Sequence, residues 1–162
     1  MDQAIKTPGN VDPPRGLWSA RVDDKGRLKL PAVFAQYLTA KQAEKVFITT
    51  MDESTGKIYT IPVWNENVKL LESGTGAERA MGKQILFRAN FHGADAELDQ
   101  QGRLLLPSEM RRKLGFENAQ VHLEAYEGLF NIYSQKVFDE TMRQSGEDLH
   151  TKLAHFEGKG LR

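Results

Sequence analysis

Apolar and polar residues alternate in two short runs near the start of the chain, and the same arrangement returns further on. Ala20 to Asp23 alternates as a strand does, and Arg27 to Leu30 alternates again. Between them stands Asp-x-x-Gly, whose carboxylate can accept from turn N–H groups and whose glycine tolerates positive φ. Pro31 ends the second run and suits the first turn of a short helix with Phe34, Tyr37 and Leu38 on its apolar face. A hairpin is predicted next: Lys45 to Met51, a turn at Asp52 to Gly56, then Lys57 to Ile61.

The second passage repeats the first. Asp23-Asp24-Lys25-Gly26-Arg27-Leu28-Lys29-Leu30-Pro31 returns as Asp99-Gln100-Gln101-Gly102-Arg103-Leu104-Leu105-Leu106-Pro107. Ala20 matches Ala96, Val22 matches Leu98, Phe34 matches Met110 and Leu38 matches Leu114. With one residue deleted, Val46-Phe47-Ile48 falls on Val121-His122-Leu123. Gly115 follows Leu114 as a helix C-cap. The second hairpin reads Ala119 to Ala125, a turn near Glu127-Gly128, and Leu129 to Tyr133. Each copy is therefore strand, turn, strand, helix, strand, turn, strand. Two copies are too few for a solenoid and suit an intramolecular pseudo-dimer in which each supplies half a core.

Helices are predicted for the remainder. Val63, Val68 and Leu71 mark an amphipathic segment, Ser73 to Gly76 breaks the chain, and Ala77 to Phe87 forms a second linker helix. Lys136 to Ala154 reads as a C-terminal helix interrupted near Ser145-Gly146, and Gly158 to Arg162 as its frayed end. The division expected is a flexible, Pro/Gly-rich arm over 1–14, a first module over 15–64, a helical linker over 65–90, a second module over 91–138, and a C-terminal helix and tail over 139–162.

Composition narrows the chemistry. The 162 residues carry 22 Lys and Arg against 22 Asp and Glu, so any contact with nucleic acid has to come from a local basic patch. There is no cysteine, which excludes disulfides, thiol catalysis and Cys-based metal sites and suits a reducing cytosol. No run of roughly eighteen apolar residues exists to span a membrane, so no membrane partner is expected. The four histidines, His92, His122, His150 and His155, lack the close helical spacing of a metal site. Gly74-Thr75-Gly76 lacks the strand and flanking residues of a phosphate loop and is read as linker. Nucleophile, base and orienting group fall together nowhere, so the reading is of a non-enzyme with neither cofactor nor small-molecule substrate. Trp18 and Trp64 are read as core anchors.

The motif Asp-x-x-Gly-Arg-x-x-x-Pro followed by a short helix resembles the AbrB/SpoVT swapped-hairpin DNA-binding module. The segment Glu109-Met110-Arg111-Arg112-Lys113-Leu114-Gly115-Phe116 looks like that module's helix, and Phe91 to Asp99 matches the approach to the second motif. Two copies joined by a helical linker resemble the MraZ family, over roughly residues 15 to 145. The resemblance implies an α+β fold of tandem swapped-hairpin β modules. It also implies ring-like homo-oligomers and a cytoplasmic, nucleoid-associated repressor. That repressor would bind short direct repeats of double-stranded DNA near its own promoter, in a bacterial division and cell-wall gene cluster. The other reading is a non-catalytic protein-interaction module of the antitoxin kind.

Candidate site residues follow from the repeat. Asp23, Gly26, Asp99 and Gly102 are read as the structural motif, the aspartates as turn caps rather than catalytic acids. Arg27 and Arg103 are either ion-pair partners of those aspartates or contacts to phosphate or guanine, and the two roles can coexist. Arg15, Arg21, Lys25 and Lys29 complete the expected DNA-binding set. The run Arg111-Arg112-Lys113 reads equally as a DNA contact or a solvated helix face. The first hairpin is basic, whereas the second has Glu97, Gln101 and Leu105 where the first has Arg21, Lys25 and Lys29. That asymmetry predicts that the first hairpin reads DNA and the second mainly builds the contact between modules or subunits.

Overall fold

Strands from the two sequence copies interleave in the structure, a computed structural model that describes residues 12–162. The expected flexible arm lies outside the described residues over 1–11. The element order is β1 (Leu17–Arg21), β2 (Arg27–Lys29), α1 (Ala32–Ala40), β3 (Lys45–Thr50), β4 (Gly56–Thr60), α2 (Ile61–Glu72), α3 (Gly76–His92), β5 (Ala94–Glu97), β6 (Arg103–Leu105), α4 (Ser108–Leu114), β7 (Gln120–Tyr126), β8 (Leu129–Ser134), α5 (Gln135–Ser145) and α6 (Leu149–Glu157). This is a mixed α+β fold. Six strands form an antiparallel sheet in the order β1-β7-β8-β4-β3-β5, and β2 pairs with β6 in a separate two-stranded ribbon.

The pairing crosses between the copies. Strand β1 of the first copy lies on β7 of the second, with Ala20 opposite Val121. Strand β5 of the second lies on β3 of the first, with Ala96 opposite Val46. The sheet is joined at its centre by β4 and β8, Ile58 facing Phe130. One face of this sheet holds the main core, which takes Phe34 and Leu38 from α1, Met110 from α4, and Val46, Ile48, Ile58, Val121, Leu123, Phe130 and Ile132 from the sheet. Phe34 stacks on Phe130 at 4.6 Å between ring centres, so α1 of one copy packs on a strand of the other. The opposite face is covered at one end by α2 and α3, where Phe47 stacks on Trp64 at 4.4 Å. At the other end α5 covers it, and His122 stacks on Phe138 at 3.8 Å.

Tertiary contacts move several element boundaries. Strand β1 begins at Leu17, ahead of the alternating run, because β7 offers a partner as far as Glu124. Helix α3 continues past Phe87 to His92, since Ala89 is buried against the sheet and the Thr49 hydroxyl donates to the Ala89 carbonyl at 2.6 Å. The C-terminal helix divides into α5 and α6 at Gly146 to Asp148, with Asp148 left-handed at φ 53°. Trp64 is buried as read, but Trp18 is 41% exposed and meets Phe34 only edge-on.

Candidate nucleic-acid interface

The β2–β6 ribbon gathers the motif residues of both copies. Its three pairs are Arg27 opposite Leu105, Leu28 opposite Leu104, and Lys29 opposite Arg103. Leu28 and Leu104 are fully buried, so alternation turns the other four side chains together to the outer surface. Lys29 also donates to the carbonyl of Gln101 in the opposite turn. Backbone cross-ties hold the two turns at the ends of this ribbon: the Leu30 N–H donates to the Gly102 carbonyl and the Leu106 N–H to the Gly26 carbonyl, both at 2.9 Å.

Each aspartate organises its own turn and its own arginine. Asp23 Oδ1 accepts from the backbone N–H of Lys25 at 3.0 Å and of Arg27 at 2.9 Å. Its Oδ2 accepts from Arg27 Nε at 2.9 Å. Asp99 repeats the set, with Gln101 and Arg103 N–H both at 2.9 Å and Arg103 Nε at 3.0 Å. These bonds, first of all the backbone N–H of Arg27 and of Arg103, hold both carboxyls below the ordinary value of 3.8. The aspartates engage Nε alone. The two terminal nitrogens of each guanidinium make no protein hydrogen bond among the described residues and form an end-on fork. Such a fork matches two acceptors side by side, as on a phosphate or on the O6 and N7 of guanine.

The other expected residues are distributed differently. Lys25 is exposed at the first turn, beside the ribbon. Arg15 and Arg21 are not part of the ribbon. Arg15 precedes β1, and Arg21, on β1, donates from Nη2 to Asn118 Oδ1 at 2.9 Å. The run Arg111-Arg112-Lys113 splits by role. Arg111 is committed internally, with Nε to the Leu106 carbonyl at 3.1 Å and Nη1 to Glu117 at 3.0 Å. Arg112 pairs with Glu109 at 3.2 Å, and Lys113 lines a cavity with Glu53, Arg88 and His92. In that cavity Arg88 pairs with Glu53, holding its carboxyl below the usual range, and His92 Nε2 stands 3.7 Å from the same carboxylate. Nothing in the local sequence signals that cluster, because its members come from separate elements.

The sequence matches known proteins along most of its length. A family profile described as "MraZ protein, putative antitoxin-like" matches residues 91–156. The Transcriptional regulator MraZ of Acidobacterium capsulatum is 38% identical over 107 residues, covering 66% of this chain and 69% of that protein. The chain belongs to the MraZ family. The MraZ protein of Shewanella frigidimarina, also named a transcriptional regulator, is 27% identical over 153 residues, with 88% of this chain and 97% of the relative covered. That of Koribacter versatilis is 30% identical over 98 residues, covering 60% of this chain and 66% of the relative. The profile lies on the second copy and the C-terminal helices, whereas the Shewanella match takes in both MraZ copies. No described helix is long and apolar enough to cross a membrane.

Proposed function

We propose that this chain is a sequence-specific DNA-binding transcriptional regulator, a repressor acting at a promoter that carries short direct repeats. The observation that carries the reading is the row of exposed Lys29 and half-buried Arg27 and Arg103 on one antiparallel ribbon, each arginine aimed by its aspartate with the end-on fork unbonded among the described residues. A two-stranded β-ribbon fits the major groove, where such a fork discriminates guanine. Specific base contacts compensate for a chain without net charge, since Asp23 and Asp99 offset much of the ribbon's positive field. Two tandem modules, over 15–64 and 91–138, form an intramolecular swapped-hairpin pair, and the whole assembles as a ring-like homo-oligomer. The protein acts in the cytoplasm at the nucleoid and carries out no catalysis.

The juxtaposition of Arg103 with Lys29 changes the expectation drawn from charge alone. Both hairpins face DNA together, the first contributing more cations and Lys25 beside it. In gel-shift titrations over a range of salt on DNA from upstream of its own gene, Arg27→Ala and Arg103→Ala each weaken specific binding by about 1–3 kcal/mol. Lys29→Ala lowers the salt slope by about one unit. Normal binding by both arginine variants overturns the assignment. A loss confined to Arg27 restores the division of labour read from sequence. The antitoxin-like wording of the family description favours a second reading, a protein-interaction module. Absence of any salt-dependent DNA binding by the wild-type chain selects it.

A further inference from the structure

Among the described residues the six-stranded sheet has two open edges, β1 and β5, and these are the first strands of the two copies. The Val22 N–H donates to the Ala119 carbonyl and the Ala125 N–H to the Gly16 carbonyl. This parity turns the N–H and C=O groups of Leu17, Ser19 and Arg21 away from β7. The bond from the Leu98 N–H to the Glu44 carbonyl does the same at the other edge, turning out the backbone groups of Asp95 and Glu97. Both edges thus present backbone hydrogen-bonding groups with no strand beside them among the described residues. A soluble protein blunts or covers such edges.

The two edges occupy equivalent places in the repeat but carry opposite charge. Arg21 on β1 corresponds to Glu97 on β5, and Ser19 to Asp95. Ala20 and Ala96 pack towards the main core, so Arg21 and the two acids project from the opposite face of the sheet. None of Arg21, Asp95 and Glu97 forms an ion pair among the described residues. Five successive antiparallel pairings make β1 and β5 run in opposite directions, so a second copy in the same orientation continues the alternation.

We propose that β1 of one subunit pairs antiparallel with β5 of a second copy of this chain, with Arg21 meeting Asp95 and Glu97 across the join. This rests on the homo-oligomer reading above and gives it a surface. The contact is head to tail, so each subunit uses both edges once, and the assembly closes when the rotation between copies closes. The helices on that face support it. Near the β1 edge, α5 exposes Met142 beside Leu17, and α6, which follows α5 in the chain, exposes Leu149, Leu153 and Phe156 at helical spacing. Near the β5 edge, α3 exposes Phe87 and Phe91 just before the strand begins. The join places these two apolar surfaces on the same side of one continuous sheet. A nine-residue helix with every residue exposed, as α6 is here, does not hold itself in water and needs such a partner.

The test uses the full chain and two charge-reversed variants, Arg21→Glu and the double substitution Asp95→Lys with Glu97→Lys, followed by sedimentation velocity. The wild type is expected to assemble, and each variant alone to dissociate with affinity lowered on the order of a hundredfold by like charges at the join. An equimolar mixture restores assembly, because each variant's edges complement the other's. Either variant keeping wild-type size alone, or folded variants failing to reassemble when mixed, overturns the β1–β5 contact while leaving oligomerisation standing. A monomeric wild type overturns both. Should a reversed variant not fold, Arg21→Ala and salt titration of the wild type replace it, and assembly indifferent to both sinks the proposal. Gel shifts on the same samples read the DNA-binding assignment separately.

Discussion

Gly26 and Gly102 occupy matching turns, yet replacing each by alanine should cost different amounts. Both are left-handed, at φ 82° and 74°, so each alanine carries about 1–2 kcal/mol of backbone strain. Around Gly102 a new Cβ meets only Lys29 Nζ at 3.4 Å and Ala35 Cβ at 3.6 Å. At Gly26 it would lie 2.3 Å from Cζ and Nη1 of Arg111. The Arg111 side chain is 14% exposed and held by the Leu106 carbonyl and Glu117. Displacing it forfeits charge-assisted hydrogen bonds worth about 1.5–3 kcal/mol. Gly102→Ala should therefore lose about 1–2 kcal/mol and Gly26→Ala about 2.5–5 kcal/mol. Urea unfolding followed by tryptophan fluorescence, at one fixed protomer concentration, reads both. Adding Arg111→Ala should remove most of the extra cost of Gly26→Ala, a coupling of about 1.5–3 kcal/mol. Equal losses at the two glycines, or no coupling to Arg111, would refute the steric argument. Because the clash at Gly26 displaces its turn and the Arg27 that follows it, whereas the Gly102 turn has room for a Cβ, the Gly26 variant should also bind DNA less well than the Gly102 variant.

The lowered carboxyl values of Asp23 and Asp99 give stability that is fully present above pH 3.8 and is lost as the pH falls through their folded values. Asp23→Asn with Asp99→Asn should accordingly lower stability at neutral pH and flatten its decline below that point, as read from thermal melts; an unchanged acid limb contradicts the bonding described. Phe34→Ala empties the stack on Phe130 and should cost about 3–5 kcal/mol by urea unfolding; a loss under 1 kcal/mol would show that the site collapses freely. Gly82→Ala should destabilise although it raises helix propensity, because the added Cβ would sit 1.8 Å from the Leu71 carbonyl where α3 crosses α2. The expected net loss is about 1–3 kcal/mol, and a gain in melting temperature would disprove the close approach.

Much of the architecture is legible in residue order, because local rules govern it. Asp-x-x-Gly before an alternating run specifies a turn wherever it occurs, and the repeat at Asp99 specifies it again. Pro31 and Pro107 mark the helix entries at Ala32 and Ser108. Pairing of Arg27 and Arg103 with their aspartates is one of two readings the sequence leaves open, and the structure shows the pair, made through Nε alone. What spacing cannot convey is the partner of each strand. The choice of β7 for β1 and β3 for β5 depends on two halves folding around one core, and that choice sets Lys29 against Arg103. Charge read along each hairpin separately suggested different duties for the two; the register across them makes one surface. Arg21, counted beside Arg27 in sequence, parts from it because the chain bends between β1 and β2 into different sheets. Arg111 likewise resembles its neighbours in sequence, and only the approach of Gly26 shows why it is buried. Turns, caps and periodicity are short-range effects set by neighbouring residues. Strand order, open edges and shared surfaces are long-range consequences of burying apolar faces, and they exist only once the chain has closed on itself.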